Sequence, residues 1–286
     1  MARCVNSGQV FRWERLSDGC WLGVDGSHWY RVELGESELH VTSNATPQDF
    51  KSLFRLDWNA ADIESKLLAA APELGTCVAA LDGLRLMKPS GSTEVFFSFL
   101  CTPNNNLTRI VQMCRHLATY GPELATVDGR ILHRFPTVEV IAAIPESALR
   151  AKAFGYRAAT IPSIANQVLE RGEGWIESLK STPYAVVHSE LCKLKGIGPK
   201  LADCIALFAL NHTEAIPVDT HIWQAYTRLY RPDQKNKALT DARYREASEF
   251  MRARFGRYGG WAQQYLFYEN MLSWRERANK VIVCQP

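Results

Sequence analysis

A lysine and an aspartate are the side chains whose types and spacing point most directly to chemistry. Lys200 follows Gly198-Pro199, so we expect it in the first turn of a helix, where the positive end of the helix dipole favours the neutral, nucleophilic amine. Asp219 ends Pro217-Val218-Asp219 ahead of an apolar-periodic run, a pattern that predicts an N-cap. The pair fits an amine nucleophile with an acidic partner. A solvated lysine and an aspartate that only caps a helix are the alternative.

The length of the chain between these two residues allows them to meet. A helix from Lys200 to Leu210 is about 15 Å long. The following linker, Asn211 to Val218, can span about 26 Å. The linker is therefore long enough to return Asp219 to the first turn of the helix.

A glycine turn precedes Lys200 and joins two helical segments. Gly196 and Gly198 permit positive φ angles and close backbone approach, and Ile197 between them can pin the turn to the core. The free amides at the start of the next helix can face a phosphate. Together with the small Ala202, this pattern predicts a helix-hairpin-helix motif.

The elements that must position these residues differ along the chain. From Gln9 to about Val41 aromatic and β-branched residues alternate with polar ones between glycines, which predicts a small antiparallel sheet. After Thr46-Pro47 the apolar spacing is helical and is cut by Gly and Pro, which predicts that nearly all the remainder is helix. The expected fold is α+β, with a sheet domain over residues 1–84 and a helical domain over residues 85–286.

Composition limits the classes of protein to consider. The chain has 286 residues, 47% of them hydrophobic, which is enough for a buried core. A net charge of +3 is too small for a protein that coats nucleic acid, so any DNA footprint is expected to be local. The eight cysteines show no iron–sulfur or zinc spacing, and no apolar leader or membrane-length segment is evident.

With its hairpin, Lys200 and Pro217-Val218-Asp219, the chain resembles the helix-hairpin-helix DNA glycosylase superfamily. Four further segments are similar to the eukaryotic-type 8-oxoguanine DNA glycosylase branch and follow its order: Gly8 to Trp13, Asn104 to Arg109, Gly155 to Arg157, and Gly260 to Gln263. The resemblance covers nearly the whole chain. Lys195, Pro199 and Val10 depart from the usual residues, and the strand that usually precedes Gly8 is missing or reduced, so we expect a truncated start.

The resemblance implies a bifunctional enzyme that flips out and excises 8-oxoguanine, and formamidopyrimidine-guanine, opposite cytosine. Lys200 would attack the sugar C1′ and form a Schiff base, from which β-elimination removes the 3′ phosphate. Asp219 would stabilise the positive charge that develops on the deoxyribose. No cofactor is required and no iron–sulfur cluster is expected.

The resemblance also assigns the pocket for the damaged base. The Gly8 carbonyl would accept the N7 hydrogen that distinguishes 8-oxoguanine from guanine. Gln263 and Phe267 lie four apart on one helical face, and they would read the Watson–Crick edge and stack on the ring. Cys204, one turn beyond Lys200, would contact the other face. Without the family, a turn glycine, a core phenylalanine and a buried thiol are as good an interpretation.

Other residues would hold the rest of the DNA. Arg109 and Arg157 would bind the orphaned cytosine, Asn104 would fill the emptied space, and Tyr156 would be the wedge. On pattern alone these segments are a polar loop and a helix start. His221, Gly196 and Gly198 would contact phosphates, although His221 also fits a partly buried structural histidine. Relatives imply a monovalent cation at three main-chain oxygens, here those of Cys192, Leu194 and Ile197.

The expected partner is double-stranded DNA that contains oxidised guanine, bound by a monomer without a membrane. The activity would place the protein in the nucleus, and in mitochondria if it serves both genomes. A non-catalytic helix-hairpin-helix module is the main alternative, but it needs neither Lys200 nor Asp219. An alkylpurine glycosylase lacks the lysine. Adenine and thymine-glycol glycosylases usually carry a C-terminal four-cysteine cluster, whereas only Cys284 follows Cys204.

Overall fold

The computed structural model describes residues 1–36 and 38–283, with side chains up to residue 273; Cys284 lies outside the described residues. A short helix, α1, opens the chain at Ala2–Asn6. A four-stranded antiparallel meander follows in the order β1-β2-β3-β4, with the bounds Trp13–Arg15, Trp21–Asp25, His28–Leu34 and Leu39–Ser43. The sheet predicted between Gln9 and Val41 is therefore confirmed.

An aromatic pair on one face of the sheet requires a glycine beneath it. Gly23 pairs with Trp13 on one side and with Tyr30 on the other. The two rings stack 5.9 Å apart. A Cβ at Gly23 would lie 2.1 Å from Trp13 Cδ2, so only glycine lets the indole lie flat on the strand.

Helices make up most of the remaining chain, as predicted. Several begin at side-chain caps: Thr46 forms a capping box with Asp49 at α2, and the Asn59 and Asn106 side chains each accept a backbone N–H at the starts of α3 and α6. No described helix has the length and apolar character that a membrane crossing needs. The helices have the following bounds: α2 (Pro47–Leu53), α3 (Ala60–Ala70), α4 (Gly75–Ala80), α5 (Ser92–Leu100), α6 (Leu107–Ala118), α7 (Val138–Ala142), α8 (Glu146–Ala151), α9 (Arg157–Leu169), α10 (Trp175–Ser178), α11 (Tyr184–Cys192), α12 (Pro199–Phe208), α13 (Thr220–Leu229), α14 (Asp241–Phe255) and α15 (Gly259–Val283).

A second β structure interrupts the helices, which the sequence prediction missed. Strands β5 (Glu123–Val127) and β6 (Arg130–His133) form an antiparallel hairpin. Its two turn residues, Asp128 and Gly129, have φ angles of 49° and 72°. An Asp-Gly pair with two positive φ angles is the signal of a type I′ hairpin turn. The Asp128-Gly129 dipeptide was therefore a sequence signal from which this hairpin turn could have been predicted.

The start of the chain is hydrogen-bonded to distant parts of the fold. The Gln9 side chain donates to the Arg85 carbonyl at 2.9 Å and accepts from the Met87 amide at 2.8 Å. Gln264 of α15 donates to the Ser7 carbonyl at 2.9 Å. These bonds fix the backbone on both sides of Gly8. They also cross the domain boundary predicted at residue 84, and that boundary stays a prediction.

A buried carboxylate links the sheet to the start of α5. Asp25 at the end of β2 is 7% exposed, and its two oxygens accept the Ser90 amide at 2.9 and 3.1 Å. Burial, and then the nearby negative charge of Glu94, raise the pKa of Asp25 to about 6. Ionisation of Asp25 therefore costs more in the folded protein than in the unfolded chain.

We expect Asp25→Asn to gain stability relative to the parent protein as pH rises. The cost of a carboxylate whose folded pKa is raised is absent below the unfolded pKa and complete above the folded one. The difference between the two free energies of unfolding should grow by about 1 kcal/mol or more from pH 5 to pH 8, since one pKa unit is ~1.4 kcal/mol. Urea unfolding of both proteins across this range measures it; a constant difference would contradict the assignment.

Candidate active site

The predicted hairpin lies between α11 and α12, and its two glycines differ. Gly196 has φ +109°, and a Cβ there would lie 3.1 Å from Thr160 Cγ2 of α9, so this position favours glycine by conformation and by space. Gly198 is the N-cap of α12 with φ −91° and ψ 174°. Gly198 does not use the positive φ that its type permits, because the residue that starts α12 has an extended N-cap conformation. Gly198 is exposed, with no atom within 4 Å of its Cβ position, so the backbone there is open to a ligand.

Lys200, Cys204 and Asp219 interact with one another. Pro199 is the first residue of α12, as predicted, which puts the half-buried Lys200 in the first turn. The Lys200 ammonium hydrogen-bonds Cys204 one turn further on, and the Asp219 carboxylate acts on it electrostatically. Asp219 is the predicted N-cap of α13, where its Oδ1 accepts the Ile222 amide at 2.9 Å. The starts of two helices thus meet around one amine.

The charges of this cluster change one expectation. Burial lowers the pKa of Lys200, but the interactions with Cys204 and then with Asp219 together outweigh burial, and the pKa lies above its ordinary value. Burial raises the pKa of Cys204 to about 11, although Lys200 opposes the shift. The expected neutral amine is wrong for the free protein, because these two neighbours together raise the pKa by more than burial lowers it.

Gly8 and Phe267, which were predicted to line the base pocket, pack against each other, and Gln263 lies one helical turn before Phe267 on α15. Gly8 has φ +76°, and its Cβ position lies 3.6 Å from Cε1 of Phe267, so the loop packs against the ring. Gln263 is 4% exposed, and its side-chain oxygen has no hydrogen-bond partner in the part of the chain that is described. A buried acceptor without a donor is rare in native proteins and is typical of a ligand site.

The histidine after Asp219 is held by a residue that the sequence reasoning missed. Asn270 of α15 is 3% exposed, and its amide nitrogen lies 3.2 Å from His221 Nδ1 and donates to Gln224 at 3.1 Å. The His221 ring also meets Phe267 edge to face at 5.5 Å. Asn270 is three residues after Phe267 and seven after Gln263, so helical spacing alone puts it on the pocket face of α15. That spacing was the available signal.

Tyr156 and Arg157, at the start of α9, meet the Asn104 loop through one carbonyl. The Tyr156 hydroxyl donates to the Pro103 carbonyl at 3.2 Å, and the buried Arg157 guanidinium donates to the same oxygen. Arg157 also lies over the Tyr156 ring at 4.6 Å, and Tyr156 remains 54% exposed. An exposed ring on a rigid base suits the predicted wedge.

Arg109 and Asn104 are held near the same two segments, the loop that contains Pro103 and the start of α9. Arg109 in the first turn of α6 donates to the Ala153 carbonyl at 2.7 Å and to Gln112 at 3.1 Å. Asn104 is exposed and has a left-handed φ of 50°. The four residues predicted for the orphaned base and the wedge are therefore neighbours, and the hairpin packs on the same helix α9 through Thr160.

Oxygen atoms for a cation are present in the hairpin. The Leu194 carbonyl accepts the Ile197 amide at 3.0 Å. A carbonyl oxygen has a second lone pair, so it fits a hard monovalent ion as well. Among the described residues, no group of three or more His, Cys, Asp or Glu side chains could hold a metal ion.

Known proteins are similar to this chain over most of its length. The family model of the HhH-GPD superfamily base excision DNA repair protein matches residues 97–249. The N-glycosylase/DNA lyase OGG1 of Arabidopsis thaliana is 33% identical over 272 residues, which are 91% of this chain and 74% of that protein. The N-glycosylase/DNA lyase of Saccharomyces cerevisiae is 32% identical over 201 residues, 61% of this chain and 54% of its own. This chain thus matches about half the length of the yeast relative.

Two solved structures share the architecture over nearly their full lengths. The 8-oxoguanine glycosylase/lyase of Clostridium acetobutylicum, in complex with double-stranded DNA that contains cytosine opposite 8-oxoG, is 28% identical with a TM-score of 0.83, over 95% of this chain and 91% of that chain. MBOgg1 in complex with a low affinity DNA ligand is 26% identical with a TM-score of 0.84, over 96% and 92%.

We expect Asp219→Asn to lower the pKa of Lys200. Asparagine still caps α13, so the helix start is kept, but the negative charge that stabilises the ammonium is lost. The ¹³Cε resonance of Lys200, followed through a pH titration of the free protein, reports the change. An unaltered titration would mean that Asp219 does not act on the amine.

Proposed function

Because this chain belongs to the HhH-GPD superfamily of base excision DNA repair proteins, we infer that it is a DNA glycosylase that excises 8-oxoguanine and cleaves the strand as an AP lyase. One observation carries the inference: a lysine and a carboxylate from two helix starts interact, and the buried Gln263 on α15 has a side-chain oxygen without a partner among the described residues. A module that only grips phosphates needs hairpin amides and none of these groups. Double-stranded DNA with oxidised guanine is its substrate.

Lys200 is the nucleophile in this proposal. Its nitrogen bonds to C1′ while the C1′–N9 bond breaks and the electron pair leaves with the base. The Lys200 ammonium first gives one proton to solvent; once the N–C1′ bond has formed, the nitrogen is cationic again and gives a second proton to the departing purine anion. Opening of the C1′–O4′ bond, with uptake of a proton from solvent by O4′, gives the iminium, and loss of a C2′ proton then expels the 3′ phosphate. The negative charge of Asp219 lowers the energy of the cationic sugar.

Selection of the damaged base falls to the pocket. The Gly8 carbonyl accepts the N7 hydrogen of 8-oxoguanine, whereas guanine would present an acceptor to that oxygen. An unmade buried hydrogen bond costs about 1–3 kcal/mol. The unpartnered Gln263 oxygen accepts from the Watson–Crick edge, and Phe267 and Cys204 enclose the two faces. Formamidopyrimidine-guanine shares these groups and is a second expected substrate.

Recognition of the opposite strand falls to the other group of residues. Arg109 and Arg157 retain guanidinium donors beyond those used on the Ala153 and Pro103 carbonyls. Cytosine offers O2 and N3 as acceptors once its partner is flipped out. Asn104 fills the emptied space and Tyr156 wedges the strand. Cytosine is therefore the preferred opposite base.

Phosphate contacts complete the proposal. The backbone amides of Gly196 and Gly198 and the His221 side chain would contact the phosphates of the damaged strand. A monovalent cation held by the Cys192, Leu194 and Ile197 carbonyls would add positive charge there, but the reaction itself needs no cofactor. The protein acts as a monomer wherever genomic DNA is oxidised: in a eukaryote, the nucleus and, in addition, mitochondria.

We expect Lys200→Gln to abolish borohydride trapping of the protein on DNA that contains 8-oxoguanine. Glutamine cannot form a Schiff base, so both the covalent adduct and strand cleavage should fall to background. We expect a loss of at least ~10³-fold, the order of rate loss seen when a catalytic nucleophile is removed. Lys180→Gln is the matched control, because Lys180 lies on the surface and pairs with Glu177. Trapping that survives in Lys200→Gln would rule out this nucleophile.

We expect Arg109→Ala to weaken the preference for cytosine over adenine opposite the lesion. Loss of a forked contact to a base costs about 1–3 kcal/mol, so the preference should fall roughly 5- to 150-fold. Single-turnover rates on the four duplexes measure it. Arg115→Ala, at the far end of α6 and paired with Glu14, should retain the parent's ratios. Unchanged ratios in Arg109→Ala would refute the role.

A further inference from the structure

A buried carboxylate lies under the catalytic helix and has no task in the reaction proposed above. Asp203, three residues after Lys200 on α12, is 0% exposed. Its Oδ1 accepts the Tyr184 hydroxyl at 2.5 Å, and its Oδ2 accepts the Tyr244 hydroxyl. His188 Nε2 lies 3.9 Å from Oδ2. Three different helices, α11, α12 and α14, therefore meet at this carboxylate.

The partners of Asp203 make its burial tolerable. Burial raises its pKa, while His188, the two tyrosine hydroxyls and Arg252 oppose the shift. A buried carboxyl group without such donors would be strongly destabilising. An apolar residue would nevertheless fill the same space on a helix whose neighbours Leu201, Ala202 and Ile205 are all buried. Packing alone therefore does not explain why an acidic residue occupies position 203.

One of the two tyrosines reaches the loop that carries the catalytic aspartate. The Tyr244 hydroxyl donates to Asp203 and also lies beside the backbone N–H of Val218. Burial and Asp203 raise the pKa of Tyr244, and the Val218 N–H opposes that rise. Val218 is fully buried and immediately precedes Asp219. A series of contacts thus leads from α12, which carries Lys200, through Asp203 and Tyr244 to the backbone beside Asp219.

The other tyrosine provides no such connection. Tyr184, on α11, donates to the same carboxylate, and its ring lies beneath the Arg252 guanidinium at 4.7 Å. Both tyrosines donate one hydroxyl to Asp203, but among their described contacts only that of Tyr244 continues to the Asp219 loop. They form a matched pair for experiment.

We propose that Asp203 is a positioning residue for base excision, which acts through Tyr244 to fix the Val218-Asp219 backbone relative to α12 and so sets the separation of Lys200 and Asp219. This inference rests on the proposed function of those two residues. Asp203 and Tyr244 touch neither the base nor the sugar. Their effect should lie in the chemical step and not in DNA binding, because a misplacement of about 1 Å in a catalytic group can cost ~10²-fold in rate.

The test compares Tyr244→Phe with Tyr184→Phe, each of which removes one hydroxyl from Asp203. Both should lose stability to a similar extent, measured by thermal unfolding. The single-turnover rate of 8-oxoguanine excision at saturating enzyme should fall about 10- to 100-fold in Tyr244→Phe and less than about threefold in Tyr184→Phe. The Kd for a duplex with a non-cleavable 8-oxoguanine analogue should be unchanged in both. Borohydride trapping on an abasic-site duplex should slow in parallel with excision.

Equal excision rates in the two variants, or a loss in Tyr244→Phe that resides in Kd, would overturn the positioning role. Should Tyr244→Phe not fold, Asp203→Asn replaces it, since the amide keeps one acceptor oxygen for two tyrosines. A rate for Asp203→Asn equal to that of Tyr184→Phe overturns the inference in the same way. Absence of excision and trapping by the parent protein would instead refute the proposed function, so the two failures are distinguishable.

Discussion

The interaction of the Lys200 ammonium with Cys204 and Asp219 is the constraint on which the active site depends. A cation in the first turn of a helix faces the positive end of the dipole, and burial removes its hydration. Both effects favour loss of the proton, yet the pKa of Lys200 lies above its ordinary value, because Cys204 and then Asp219 together raise it by more than burial lowers it. The cost of an ammonium at this position is therefore offset by a side chain of its own helix and by a carboxylate from a second helix start. Any displacement of α12 against α13 would leave a buried charge without its partner.

The remainder of the fold serves this constraint by closing a pocket around it. The sheet contributes no charged group to the cluster; its part is to hold the start of the chain, where Gln9 binds the backbone at Arg85 and Met87. On the other side of Gly8, Gln264 of α15 binds Ser7. The backbone at Gly8 is thus fixed on both sides and faces Phe267. Under the proposed function, this rigidity would hold the Gly8 carbonyl in place to distinguish 8-oxoguanine from guanine at N7.

Local signals in the sequence predict much of this arrangement, and the unpredicted parts are those set by tertiary contacts. Pro199 and Asp219 mark helix starts by their own chemistry, so their elements could be assigned without a structure. The pKa of Lys200 could not be predicted, because the helix dipole and burial favour the amine, while Cys204 and Asp219, which the fold brings to it, raise the pKa. Gly198 kept an extended backbone although its type permits more. The spacing of Asn270 from Gln263 and Phe267 places it on their helix face, but only the fold shows that His221 and Gln224 are its partners.

The arginines of the protein divide according to their acceptors. Arg12 is buried against Glu94, and Arg115 and Arg130 both bind Glu14, so near the sheet the positive charges are neutralised. Arg109 and Arg157 are held by neutral carbonyls instead. A carbonyl orients a guanidinium without cancelling its charge, so these two keep their attraction for DNA and are already ordered before it binds. Under the proposed function, the charge that Arg109 and Arg157 retain would favour DNA binding beside them although the net charge of the chain is only +3.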